Sequence, residues 1–321
     1  MRIDKLSSNF TPLDEGIRFG IDTESDSATD ICIEIIDVAT NEVVATKLLR
    51  DTTSTTVNIA PYIHAVGGYT PATAKKFAFR DVPTATYKVR VGEVESEEVT
   101  ISVNRRNIGS EPAIVGDFPH LREISRNEID EVLMIVPKGA SLYVEVITEN
   151  DMQTYDHVAE NEAVSFTIAP TELANEAQNF DVRIYVDDNE IGLLHYSLTP
   201  QHKTSARLAW VANSGAIEQY TFPLVSQKSS VAEKQSFMGS DGICSVRSGA
   251  KQILSLRSQF EPRATIEALA QVVYSPKVWL EQNGEWLSVE VATSQVEYNL
   301  FGEPNFLVLE VGLWQKEVAL W

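Results

Sequence analysis

The stretch Ile31-Cys32-Ile33-Glu34-Ile35-Ile36 is short, β-branched and apolar, with a glutamate in fourth place. A run of this kind reads as a β-strand. Leu142-Tyr143-Val144-Glu145-Val146-Ile147 repeats it 111 residues later, glutamate again fourth. Two more pairs follow in the same order. Thr55-Thr56-Val57-Asn58-Ile59-Ala60-Pro61 matches Val164-Ser165-Phe166-Thr167-Ile168-Ala169-Pro170 at an offset of 109, and Tyr87-Lys88-Val89-Arg90-Val91 matches Phe180-Asp181-Val182-Arg183-Ile184 at 93. Each proline ends its strand because it lacks an N–H. The shrinking offset gives the first copy a longer loop after its Ile-Ala-Pro, roughly Tyr62 to Lys76. Three matched segments in one order predict two tandem β-sandwich modules.

Around this repeat the chain has 321 residues, enough for two or three domains, with 43% hydrophobic and 22% charged residues. That is ordinary globular composition and excludes wholesale disorder. Asn104 to Arg122 has four Gly or Pro (Gly109, Pro112, Gly116, Pro119) and little periodicity, so it reads as the join. Asn41-Glu42 and Asp187-Asp188-Asn189-Glu190 read as hairpin turns.

The last third differs. Ala206 to Trp210 and Glu218 to Phe222 read as strands about an Asn213-Ser214-Gly215 turn, Ser226 to Gly242 as an exposed polar loop, and Gln252 to Phe260 as a strand. Pro262 suits the first position of a helix, and Ile266, Leu269, Ala270 and Val273 give it one apolar face before Pro276 stops it. Asn283-Gly284 is a two-residue hairpin signal. With those two as the loop, Leu280 pairs with Leu287 and Val278 with Val289. Trp279, Glu281, Trp286, Ser288 and Glu290 then share the opposite face. A last strand runs from Phe306 to Trp314. The expected fold is mainly β: a sandwich module over 1–105, a linker over 106–122, a second module over 123–200, and an α+β docking domain with one main helix over 201–321.

The net charge is −20. The longest basic runs are the pairs Lys75-Lys76 and Arg105-Arg106, so neither nucleic acid nor an anionic membrane is an expected partner. Residues 1–200 hold 34 acidic and 16 basic side chains, while 201–321 hold 12 and 10. All five tryptophans (Trp210, Trp279, Trp286, Trp314, Trp321) lie in that near-neutral third. Like-charged copies resist close contact, so a neutral region is where an assembly would form. Tryptophan is also enriched at binding hot spots. Trp279, Trp286, Trp314 and Trp321 are therefore the interface candidates, against the plainer reading that they fill a core.

Cys32 and Cys244 form neither a disulfide framework nor a metal pattern, and Cys32 is expected as a buried thiol. Met1 to Phe10 lacks the apolar stretch of a signal peptide, and no apolar run is long enough to span a bilayer. Synthesis in the cytoplasm without secretion is the expectation.

Catalytic signatures are absent: no Gly-x-Ser-x-Gly elbow, P-loop, Gly-x-Gly-x-x-Gly or His-Glu-x-x-His. The five histidines, among them His64 and His195, are scattered without zinc-ligand spacing. Asp22, Glu24 and Asp26, with Asp30 near, could gather oxygens around calcium, but the glycine and terminal glutamate of a calcium loop are missing and a solvated loop is the better reading. No cofactor and no catalytic residue is expected.

Leu208-Ala209-Trp210-Val211-Ala212-Asn213-Ser214-Gly215 through Tyr220-Thr221-Phe222 resembles a Trp-x-x-Asn-x-x-Gly…Tyr-Thr-Phe segment of structural proteins of tailed phages and prophages. Here the glycine stands two residues after the asparagine. The helix over 262–274 with Ser275-Pro276-Lys277-Val278-Trp279-Leu280 is similar to the domain that follows there. The resemblance covers mainly residues 206–314. It implies a tail, baseplate or neck protein whose expected partners are other virion proteins or copies of itself, a homo-oligomer in the latter case, and it carries over no catalytic residue. The alternative is a cell-surface adhesin or carbohydrate-binding β-sandwich protein.

Overall fold

A computed structural model describes residues 1–315 except Phe10, 13–14, 64–68, 104–110, 203, 241 and 298–304. At 227–228, 230–235, 244–250 and 314–315 it describes the backbone alone. The fold is mainly β, as expected. The first module contains β1 (Arg2–Lys5), β2 (Arg18–Asp22), β3 (Thr29–Asp37), β4 (Glu42–Thr52) and β5 (Ser54–Asn58). The chain then leaves it as β6 (Ala78–Asp81) and returns as β7 (Ala85–Val91), β8 (Val94–Glu95) and β9 (Val99–Ile101). One sheet is β1-β2-β5; the other runs β4-β3-β7-β8, with β9 also on β7. Ile31, Ile33 and Ile35 point inward against Phe19, Val57 and Val89. Cys32 points the other way and is exposed, which corrects the expected buried thiol. The strand period of two that buries the isoleucines is what turns it out.

The second module holds β10 (Ala113–Val115), β11 (Leu121–Ser125), β12 (Asp130–Ile135), β13 (Ser141–Ile147), β14 (Met152–Val158), β15 (Ala163–Ile168), β16 (Asn179–Val186) and β17 (Asn189–Thr199). Its sheets are β10-β12-β15-β6 and β11-β17-β16-β13-β14. The repeat is visible strand by strand: β3 answers β13, β5 answers β15, β7 answers β16, and each Ala-Pro opens a short 3-10 turn, Ala60–Tyr62 and Pro170–Glu172.

Two boundaries move. The expected linker supplies strands: β10 pairs with β12, and β11 runs parallel to β17. And β6, from inside the first module's span, pairs with β15 of the second, Phe79 opposite Phe166. The longer loop of the first copy therefore leads into a strap, residues 69–82, that belongs structurally to the second module. Phe77 is buried in that module's core and stacks on Phe166 at 6.1 Å. Polar bonds hold the rest: Lys75 Nζ to the Asn127 carbonyl at 2.7 Å, the Phe77 N–H to Glu172 Oε2 at 2.6 Å, Arg80 to Glu131 at 2.6 Å, and Asp81 to His157 at 3.0 Å.

The last domain has β18 (Ala206–Val211), β19 (Ile217–Phe222), β20 (Leu224–Gly239), β21 (Gly242–Arg257), α1 (Arg263–Ala270) with a 3-10 turn to Tyr274, β22 (Val278–Gln282), β23 (Glu285–Val291) and β24 (Val308–Gln315). The sheet order is β19-β18-β22-β23-β24-β21-β20. The Asn283-Gly284 turn forms with the expected register, Leu280 on Leu287 and Val278 on Val289; both turn residues have positive φ, 56° and 83°. Pro262 stands at the N-cap position, one residue before the helix, and its carbonyl accepts the Ile266 N–H. Ile266, Leu269 and Val272 pack onto one sheet face with Leu208, Trp210, Phe222 and Leu280. The polar loop expected over Ser226 to Gly242 is instead most of β20. Its Ser, Gln and Lys content reads as loop, yet two strands of 16 residues pair there.

Candidate functional site

The sheet of the last domain is covered on both faces, which explains why β18 is buried on alternate and intervening residues alike. The helix covers one. The second module covers the other, through Val115, Leu133, Ile135 and Ala163 against Ala209, Ile217 and Trp279. Trp279 is 3% exposed in this seam. Trp286, its diagonal neighbour on the same hairpin face, is half-buried, and its Nε1–H donates to the Ala72 carbonyl of the strap at 2.7 Å. The mixed Trp/Glu face thus forms an interface within one chain: Trp279 is enclosed in it and Trp286 is partly covered by it. Trp314 lies in β24 with only its backbone described, and Trp321 lies outside the described residues.

Charges are buried beside the seam. Arg122 sits 2.9 Å from Asp130 and 3.5 Å from Glu218, all three side chains less than a tenth exposed. Tyr196 donates to Asp130 at 2.8 Å. Glu218 Oε1 accepts the N–H groups of Asp117 at 2.7 Å and Phe118 at 3.2 Å. Burial raises the Glu218 pKa despite Arg122 and these donors, and raises that of Glu131 despite Arg80 and the Ala72 N–H. A second arginine, Arg207, bonds the Ile129 carbonyl, Glu128 at 3.2 Å and Thr221 at 2.7 Å. A cavity of about 110 Å³ opens here between Phe118, Arg122, Arg207, Gln219, Tyr220 and Glu261. Nε of Arg207 and Nε2 of Gln219 have no protein partner. A space this small suits a few bridging waters. A larger cleft, about 400 Å³, lies where Lys5 and Asn9 meet Pro112, Ile135, Pro137 and Glu162.

Asp22, Glu24 and Asp26 do not assemble a cation site. Asp22 Oδ1 accepts the Glu24 N–H at 2.8 Å, and Glu24 pairs with the terminal amine of Met1 at 2.5 Å. Among the described residues no group of three or more His, Cys, Asp or Glu is arranged to hold a metal. His195 is a surface side chain bonded to Asp181 across β16 and β17 at 2.7 Å; His64 lies outside the described residues.

The feature that sequence reading missed is an arm. β21 pairs with β24 from Ala250 onward, but from Gly242 to Gly249 its one neighbour among the described residues is β20. Eight residues of strand project roughly 26 Å. Near the tip Phe237 is 53% exposed, and Met238 and Ile243, directly opposite each other, are each 77% exposed. A two-stranded ribbon is marginal in water by itself, and clustered exposed apolar side chains mark interaction surfaces. The alternation in Leu254-Ser255-Leu256-Arg257 and the Gly239…Gly242 spacing were the available signals.

No known family matches the sequence, and no curated protein matches it. Solved structures with some likeness include a Ca²⁺-stabilized adhesin that helps an Antarctic bacterium reach out and bind ice: 11% identity, 80% of this chain and 69% of that one, TM-score 0.19. The chicken CNTN1 FN1–FN3 domains align at 7% identity over 79% of this chain and 91% of that one, TM-score 0.19. Overlaps of this size say nothing about function.

Proposed function

We propose that the chain is a non-enzymatic protein that works through protein–protein contacts, and that the β20–β21 arm is its contact element. The observation that carries this is the arm itself: a paired ribbon outside any core, ending in Phe237, Met238 and Ile243. The welded seam behind it supports the reading, because a contact element transmits position only from a rigid base. A structural protein of a virion is the finer form of this proposal and rests on the resemblance over residues 206–314.

The second reading is a surface adhesin or carbohydrate-binding protein, and the tandem sandwich architecture favours it. Light scattering of the full chain over a range of concentrations tests the two. A closed oligomer supports the assembly protein. A monomer that gives a clean hit on a glycan array supports the adhesin.

A further inference from the structure

We infer that the second module is a tension clamp: force drawn along the chain is borne by the pair β11–β17, with Asp130 tying the two strands together. This goes beyond the contact reading and applies to either form of it, since an assembly protein and an adhesin both transmit pull. β11 and β17 form the one parallel pair among the described residues, in five steps from Leu121 on His195 to Ser125 on Thr199. The chain enters this sheet at β11 and leaves it at β17, with β12 to β16 in between. Tension therefore pulls β11 toward its start and β17 toward its end. In strands that run the same way, these pulls slide one past the other. The evenly spaced ladder bonds, the His195 N–H to the His120 carbonyl at 2.8 Å among them, are then loaded together. A ladder pulled from one end opens one bond at a time instead.

A side-chain tie crosses the same pair. Arg122 and Tyr196 are direct partners on the ladder, and both donate to Oδ2 of Asp130, at 2.9 and 2.8 Å. All three side chains are less than a tenth exposed, so water competes little for these bonds. Buried ion pairs are often no more stabilising than apolar packing. A directional role accounts for this one better than stability does. The first module, built from the same repeat, lacks the device among the described residues. Its entry strand β1 pairs with β2 and its exit strand β9 with β7, both antiparallel.

Single-molecule pulling on the full chain tests this, in a Cys32→Ser/Cys244→Ser background with pairs of added thiols as handles. Glu111→Cys/His202→Cys pulls along the chain and shears the ladder. Glu111→Cys/Glu190→Cys pulls on the starts of both strands and opens the ladder from one end. All three handle positions are exposed. Both pairs reach the ladder through β10, so the difference between them lies in how the ladder is loaded. Forced unfolding follows the unfolding rate rather than equilibrium stability. The expectation is a rupture force several-fold higher for 111–202 than for 111–190, with release of about 300 Å of chain in the first case. Tyr196→Phe keeps the ring and loses one bond to Asp130. It should lower the 111–202 force and leave the 111–190 force near that of the parent, with circular dichroism verifying that it folds. Equal forces in the two directions overturn the inference, as does a Tyr196→Phe protein that matches its parent along 111–202. Either result leaves the contact reading, which light scattering decides, where it was.

Discussion

The indole N–H of Trp286 donates to the carbonyl of Ala72, 214 residues earlier in the chain, at 2.7 Å. One bond thus ties the last domain to a loop that starts in the first module and is seated on the second. Trp279 beside it fills the seam. Trp279→Ala is expected to cost about 3–5 kcal/mol, the usual penalty for emptying a buried aromatic site. Trp286→Phe keeps most of the ring and loses the bond, at about 1–2 kcal/mol. Urea titration measures both. A Trp279→Ala protein with a wild-type midpoint would contradict the seam.

Glu218 gives the fold a pH dependence of known sign. Its folded pKa is raised, so the native state holds its proton more tightly than the unfolded chain does. The stability linked to this group is complete below the unfolded carboxylate value, about 4.3, and is lost as pH rises through the folded value. Glu131 acts in the same direction. Glu218→Gln retains an acceptor for the Asp117 and Phe118 N–H groups and cannot ionise. The stability of the variant relative to wild type should therefore improve from mildly acidic to alkaline pH. A difference curve that stays flat would remove Glu218 as the source.

The strap sets where the chain can be cut. A fragment over 123–200 lacks β6, β10 and the first two residues of β11, so β15 and β12 each lose a neighbour and the Phe77 site is empty. Such a fragment should show no cooperative thermal transition. Residues 1–200 retain all three strands and should melt cooperatively, though below the full chain, since they expose the Leu133 and Ile135 side of the seam. Calorimetry of both fragments decides this; a cooperative transition in 123–200 would mean the strap is dispensable.

Cys32 faces solvent from β3. In a Cys244→Ser background the native protein should react with a thiol reagent at nearly the rate of the denatured chain. Protection by more than about a hundredfold would put Cys32 in the core.

Much of this was legible in the sequence. Ile31–Ile36 and its echo identified two sandwiches, and Asn283-Gly284 identified a hairpin with its register, because period-two patterning and turn chemistry are local. The tryptophans were harder. Trp279 and Trp286 fall on one hairpin face, as the turn register predicts, but what that face meets depends on where the second module lies. That is tertiary information. The strap was visible only as extra length. Phe77-Ala78-Phe79-Arg80 alternates as a strand, yet nothing nearby says that its partner is Val164–Thr167. The arm was misread because its composition is that of a loop, and propensity gives way when a long pairing register is available.

The strap also orders events during synthesis. Residues 69–82 leave the ribosome well before β15, their pairing partner, exists. Trp286, which closes over Ala72, follows 214 residues later, a delay of roughly 10–40 s at common translation rates. Phe77 and Phe79 are uncovered for the earlier part of that interval, until Phe166 follows 87 residues after Phe79, so this stretch is one that a chaperone would protect and that a translation pause would leave exposed.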